Sequence, residues 1–321
     1  MINAFTLITP TFDPLGLMLH PTASLINHSC EPNAVVRCSS GTVLSVIPLR
    51  ALDAGEEILV SYIDNNLPFA TRQTDLQTRY HFVCGCPKCR LGTNTQTDLF
   101  LTELVPEQTS EATAIEARSL ELMQSAETDT SISSSVTKLR HALGLMARTK
   151  FWPLHRHPNP AVRHALILKY IDSGQWDLAF AHSMIQYSET DEKLFPQRTH
   201  PLRLIHDWVL IRIIDQIIIH GRGNQDLLSF TTYKINFEFW SHFLMANLKA
   251  LVDTSPPASH FWRQVLDGHG KIRGPSVVAG SHYPDVGMLG DEGMVVMMRQ
   301  EQGKAMALIE DVLKMESEWL G

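Results

Sequence analysis

The stretch Asn27-His28-Ser29-Cys30-Glu31-Pro32-Asn33 decides how this chain is read, because two later stretches answer to it. One is Gly55-Glu56-Glu57-Ile58-Leu59-Val60-Ser61-Tyr62-Ile63-Asp64, and the other is Tyr80-His81-Phe82-Val83-Cys84-Gly85-Cys86-Pro87-Lys88-Cys89. The last carries three thiols in Cys-x-Cys-x-x-Cys spacing, too crowded for local disulfides to satisfy all of them but suited to a tetrahedral zinc site. A structural zinc site takes four ligands. Cys30 or Cys38 supplies the fourth if the chain is self-sufficient, with His81 the less favoured candidate. Were it Cys30, the metal would tie the third stretch directly onto the first, and Cys38 would be an ordinary buried thiol.

The chain has 321 residues, with 44% hydrophobic and 19% charged, which is enough apolar material to fill a core and excludes wholesale disorder. Its 27 basic against 34 acidic residues leave a net charge of -7. There is no basic stripe, so direct nucleic-acid binding is not expected, and basic partners such as Lys-rich tails suit the surface better. The most apolar run, Trp208 to His220, is too short to span a membrane and carries Arg212 and Asp215. Residues Met1 to Phe5 lack the basic start of a secretory leader. All five cysteines lie in the first ninety residues, at 30, 38, 84, 86 and 89. An odd, clustered set argues for metal in a reducing compartment, so the expected location is intracellular, in nucleus or cytoplasm.

The first ninety residues differ in kind from the rest. Short strands are expected over Ala34 to Arg37, Thr42 to Ile47 and Ile58 to Tyr62, with turn residues at Ser39-Ser40-Gly41 and Asp53-Ala54-Gly55. Pro68 opens a helix running toward Tyr80. Beyond Thr93 the periodicity turns helical, over Ala112–Ser125, Val136–Ala147, Pro160–Asp172, Trp176–Tyr187, Pro201–Ile219 and Gln300–Leu320. Asn159 followed by Pro160 reads as a cap with proline at the first helical position. Glu127 to Ser135 reads as a Ser/Thr-rich loop, and Gly268 to Gly293 carries no assignable pattern. Gly174, Trp176 and Ala179 have the junction spacing of a tetratricopeptide repeat, without a clean 34-residue period.

In this order, the three stretches resemble the second half of a SET domain and its cysteine-rich post-SET segment, most closely in the SET-and-MYND family of protein-lysine methyltransferases. The resemblance covers about Asn3 to Arg90. It implies an α+β chain: a partial, β-rich, knot-like SET domain over residues 1–66, a post-SET zinc segment over 67–92, and an all-α, stacked-helix, TPR-like domain over 93–321. It further implies that Asn27 and His28 contact S-adenosylmethionine, with Asn3, Ser24 and the Ile26 backbone nearby. Tyr62 is the implied tyrosine at the methyl-transfer centre, and Tyr80 and Phe82 the aromatic walls of the cofactor pocket and lysine channel. Cys30, Cys84, Cys86 and Cys89 are the implied ligands of a structural zinc. The implied partner is a protein with a basic, lysine-containing tail, a histone being the obvious class by analogy, which would make the chain a chromatin regulator.

Other residues have plainer readings. Glu56-Glu57 reads as a solvated turn, the histidines around His155-Arg156-His157 as surface or loop, and a Cys30/His28 nucleophilic pair is set aside because zinc would engage the thiolate. Before the position of Asn3, a family member carries the first SET half, with a Gly-x-Gly loop, and the inserted MYND finger. Neither a further cysteine cluster nor a Gly-x-Gly precedes Asn27, and Gly268-His269-Gly270 lies in the wrong domain. The expectation is therefore a methyltransferase represented by its C-terminal part. The rival is an inactive, zinc-stabilised fragment that serves as a protein-interaction module.

Overall fold

The computed structural model describes residues 4–8, 14–39, 43–95, 97–102, 104–220, 233–252, 265 and 291–319. Asn3 and residues 268–290 lie outside them; residues 291–293 begin the last helix. The chain divides into two compact units. The first comprises Met1–Thr109, Thr199–Pro201 and Val252–Leu266, the second Ser110–Arg198, Leu202–Leu251 and Asp267–Gly321.

Among the described residues, the first unit holds three two-stranded sheets. Strands β1 (Ala4–Ile8) and β2 (Pro14–Leu19) pair antiparallel, an arrangement the sequence reading did not anticipate. Strands β4 (Ala34–Ser39) and β5 (Val43–Pro48) form a second antiparallel pair, in register from Ala34↔Pro48 to Ser39↔Val43. Their Val and Ile residues suit a pleated, half-buried surface. Thr42, expected as the start of that strand, lies outside the described residues.

The third sheet pairs β3 (Asn27–His28) with β6 (Leu59–Val60) in parallel, Asn27 opposite Leu59 and His28 opposite Val60. A parallel pair needs a crossover, and here the β4–β5 pair serves as part of it. So short a ladder needs a staple, and Asn33 is one. Its side chain accepts the Leu59 N–H at 2.8 Å and donates to the Glu57 carbonyl at 2.9 Å, while its own N–H donates to the Leu59 carbonyl at 3.1 Å.

Helix α1 spans Phe69–Tyr80, as Pro68 predicts, but Pro68 is its cap rather than its first residue. Proline has no side chain to hold the free N–H groups of the first turn. The buried carboxylate of Asp98 does so instead, accepting the Phe69 N–H at 3.1 and 3.3 Å. Negative charge at that end also complements the helix dipole. The helix ends at His81 in the left-handed conformation, φ 61°. Two single turns follow, α2 (Pro87–Arg90) and α3 (Leu99–Thr102).

The second unit is helical: α4 (Pro106–Glu127), α5 (Ile132–Arg148), α6 (Asn159–Asp172), α7 (Trp176–Ile185), α8 (Asp191–Leu194), α9 (Pro201–His220), α10 (Phe237–Val252) and α11 (Asp291–Glu318). Helices α5, α6, α7 and α11 pack into one core, in which Leu139, Leu143, Met146, Val162, Leu166, Phe180, Leu308 and Ile309 are buried. At Gly144 a side chain would meet the Trp319 carbonyl at 2.5 Å, so glycine lets α11 close onto α5. Between α6 and α7, Gly174 turns the chain at φ 69°.

Several expectations change here. The loop expected over Glu127 to Ser135 is shorter, Thr128 to Ser131, between α4 and α5. Ser131 caps α5 by accepting the Ser134 N–H, so part of the Ser/Thr richness is capping chemistry rather than a long loop. Asn159 is the first residue of α6 rather than its cap. Helix α7 stops at Ile185 and runs on as a π turn over Gln186–Thr190, which periodicity at 3.6 cannot reveal. The closing helix starts nine residues earlier than expected, at Asp291 rather than Gln300, and α10 had no counterpart in the reading. Arg156 sits in a loop as expected but is buried, facing Glu116 at 3.3 Å. Among the described residues, no helix is long and apolar enough to cross a membrane.

A fully buried ion pair crosses this core. Arg163 of α6 bonds both carboxylate oxygens of Glu316 of α11, one at 2.9 Å, and also reaches His182 Nδ1 at 3.0 Å. Each charged side chain is 1% exposed. The two-pronged geometry is the strongest form of such a pair.

Candidate functional site

The pairing of β3 with β6 sets His28 beside the segment that ends in Tyr62. Its Nδ1 accepts the Tyr62 backbone N–H at 3.0 Å, and its Nε2 lies 3.3 Å from Cys30 Sγ. Around the same point four rings converge. The His28 and Tyr62 centroids are 5.1 Å apart, Tyr62 and Tyr80 5.0 Å, His28 and Phe82 5.8 Å, and Tyr62 meets Phe82 edge-on at 6.5 Å. The Tyr62 hydroxyl donates to the Ile26 carbonyl, and the Tyr80 hydroxyl to the Tyr62 carbonyl at 3.2 Å. Burial, reinforced by the Arg72 guanidinium, draws His28 down to about 4, so the ring is neutral at ordinary pH.

The structure thus brings Ile26, His28, Tyr62, Tyr80 and Phe82 into one cluster. Asn27 points elsewhere: it is exposed and donates to Glu57 at 2.7 Å. Ser24 lies in the single 3-10 turn Ala23–Leu25 ahead of β3 and donates to the His20 carbonyl at 2.8 Å. Asn3 lies outside the described residues.

Below the rings, the sulfurs of Cys30, Cys84, Cys86 and Cys89 all lie within 4.8 Å of one another. Among the described residues it is Cys30 whose sulfur joins the three, while His81 is an exposed helix cap. The Cys38 side chain lies outside the described set. Four sulfurs at ordinary zinc–sulfur distances sit about 3.8 Å apart on the edges of a tetrahedron, so the cluster has the size the ion needs.

Burial raises the thiols of Cys30 and Cys84, the latter to about 11. At Cys86 burial works in the same direction, but backbone N–H donors outweigh it and bring the thiol down to about 7. Buried thiolates packed so closely need a cation to hold them, and a divalent metal supplies one. With four sulfurs and no open position, the arrangement suits a structural ion rather than a catalytic one.

Some supporting residues escaped the sequence reading. Gln73 of α1 holds both backbone groups of Cys84 at 3.0 Å, and nothing in its local sequence marks it. Asn33 could have been found, since it ends the first stretch. Glu56 is more than a solvated turn: it accepts from Arg50, from Asn33 at 3.0 Å and from the Asp53 N–H at 3.2 Å. These donors, Arg50 foremost, hold its carboxyl down at about 2.

Residues 5–63 match the SET domain family model. The chain is 38% identical over 88 residues to "SET domain and MYND-type zinc finger protein 6" of Schizosaccharomyces pombe, covering 27% of this chain and 18% of that protein. It is 34% identical over 88 residues to "Histone-lysine N-methyltransferase SMYD3" of Mus musculus, covering 27% and 20%. It is 33% identical over 110 residues to "N-lysine methyltransferase SMYD2" of Gallus gallus, covering 34% and 25%. The matched stretch therefore spans a quarter or less of each of these relatives.

Proposed function

This chain carries SET-domain sequence of the SET-and-MYND kind, and on that premise we propose that its first unit is the methyl-transfer part of an S-adenosylmethionine-dependent protein-lysine N-methyltransferase. The observation that carries this reading is the ring cluster of His28, Tyr62, Tyr80 and Phe82 closing around a tyrosine whose hydroxyl is held on the Ile26 carbonyl. S-adenosylmethionine, when bound, supplies an electrophilic methyl group. The chain's own task is alignment and dehydration. An attacking lysine must be neutral, yet its free pKa is about 10.4, and an apolar aromatic wall disfavours the charged form. Tyr62 need not ionise, because an oriented hydroxyl and backbone carbonyls in a dry site can position the amine.

In the same reading Cys30 of the SET part and Cys84, Cys86 and Cys89 of the post-SET segment, residues 67–92, hold a structural zinc. Ile26 and His28 border the cofactor, whereas the Asn27 side chain is turned to Glu57. The second unit is a TPR-like stacked-helix domain, a view supported by the left-handed Gly174 between α6 and α7 and by the buried Ala179. The substrate is a lysine-bearing basic tail in nucleus or cytoplasm, histones among the candidates, and its identity does not follow from the fold. The rival reading, an inactive zinc-stabilised interaction module, draws on the exposed Leu25 and Val83, 80% and 73% accessible.

Calorimetric titration of S-adenosylmethionine into the zinc-loaded chain separates the two readings. Micromolar binding is expected. No binding to a folded, zinc-containing sample favours the module. Where binding occurs, Tyr62→Phe should reduce transfer to lysine peptides by about a hundredfold with zinc content unchanged. Full activity in that variant would remove Tyr62 from its role.

A further inference from the structure

We infer that His28 is a positioning residue whose neutral ring, protonated on Nε2, ties the backbone of Tyr62 to the metal-ligating sulfur of Cys30. The inference rests on the zinc reading above. Its logic is donor against acceptor. The Tyr62 backbone N–H can only donate, and it sits 3.0 Å from His28 Nδ1. That nitrogen must therefore present a lone pair, which leaves the ring proton on Nε2. A doubly protonated ring would set donor against donor and is excluded by the same contact. The Nε2–H then faces Cys30 Sγ at 3.3 Å. A metal-bound thiolate accepts this bond without competing for the proton.

The consequence is a continuous chain of bonds from the metal to the transfer site. It runs from Cys30 through the His28 ring to the Tyr62 N–H, and the Tyr62 hydroxyl closes it on the carbonyl of Ile26, two residues before His28. The β3–β6 register makes this possible, because His28 opposite Val60 leaves Tyr62 two residues past the paired position. Metal occupancy thereby sets the position of the Tyr62 backbone without the metal touching a substrate. An outer-shell partner of this kind both fixes the ring and supports the ligand.

The test is magnetic resonance on the full chain, nitrogen-labelled and loaded with an NMR-active cadmium isotope in place of zinc. Expected are a His28 signal of the Nε2–H tautomer and a scalar coupling from cadmium to that proton through the Cys30 sulfur. A chain that retains no metal overturns the zinc reading, and the inference with it. A metal-loaded chain whose His28 is protonated on Nδ1, or shows no coupling, overturns the inference alone.

Two substitutions split the contacts. His28→Gln keeps an N–H toward Cys30 and loses the acceptor for Tyr62, so its zinc affinity should stay within about twofold while the Tyr62 amide signal moves. His28→Asn does the reverse, weakening zinc about tenfold with the Tyr62 amide signal in place. If neither variant changes either readout, the brace is refuted. If neither folds, the tautomer of the wild-type chain decides.

Discussion

The two units of this molecule solve the same problem with different chemistry. In the second, α5, α6, α7 and α11 bury Leu, Ile, Met and Phe side chains against one another, and α7 is buried on every side from Asp177 to Ile185. In the first, the core beneath the site is five residues, Cys30, Ile63, Leu76, Cys84 and Cys89, three of them metal-ligand candidates. Two-stranded sheets and two-residue strands bury too little apolar surface to offset the entropy of ordering them. Where the helical unit relies on area, the sheet unit gathers four sulfurs suited to a metal and uses single side-chain staples such as Asn33, Gln73 and Asp98.

The sharpest way to break this contrast is to remove the metal. Structural zinc in small domains contributes on the order of 10 kcal/mol or more of folding free energy. A strong chelator, or Cys86→Ser, should therefore open residues 20–98 to limited proteolysis while α5 to α7 stay resistant. An unchanged cleavage pattern in the first unit would mean that the cysteines do not hold it together.

The helical unit has its own point of failure. Glu316→Gln keeps the volume but leaves Arg163 charged, buried and half-partnered, which should cost about 3 to 5 kcal/mol. That corresponds to a fall of roughly 10 °C in the helical melting transition. The paired change Arg163→Met with Glu316→Leu should recover most of the loss. A single variant that melts with the wild type would show that the pair adds nothing beyond packing.

Acid provides a gentler test. Burial first, then Arg156, lowers His157 to about 4; burial and then His206 do the same for His164, and burial and then Arg163 hold His182 well below its usual value. These rings are neutral in the fold, whereas the unfolded chain takes up protons from about pH 6.5 downward. Their contribution is thus complete above pH 6.5 and is lost as pH falls toward 4. Asp207, raised to about 7 mainly by burial, has the opposite sign, since its neutral form favours the fold as pH falls. Three histidines outnumber the two carboxyls that burial raises, Asp207 and Asp215, so the helical unit should lose stability as pH falls through that window. Denaturant midpoints of the helical unit, followed from pH 7 to 4.5, should decline; a flat profile would show that these rings are hydrated.

How much of this was legible beforehand varies with the range of the interaction. The Cys-x-Cys-x-x-Cys run is a local pattern, and its suitability for a metal is visible from spacing alone. Its fourth partner is not, because spacing cannot tell Cys30 from Cys38 or His81. Only the β3–β6 pairing brings Cys30 down onto the other three. The α5 and α6 helices follow from apolar periodicity. Helix α10 went unread although Asn236 marks its start, its Oδ1 accepting the Phe239 N–H at 2.9 Å. The π turn after Ile185 breaks the period on which such reading depends, and the α1 cap lies 29 residues away in Asp98.

The sequence by itself therefore determined the likeness of residues 5–63 to a SET domain, a cysteine spacing suited to a metal and the helical character of the remainder. All three are carried by residue type at short spacing, where the backbone dictates the geometry. The tertiary structure alone decided which cysteine completes the cluster, which tautomer His28 must hold, how Asn33 and Asp98 secure elements far from them, and that Arg163 finds Glu316 across 153 residues of chain. Each of these is a donor meeting its acceptor across the fold, and no local spacing encodes such a meeting.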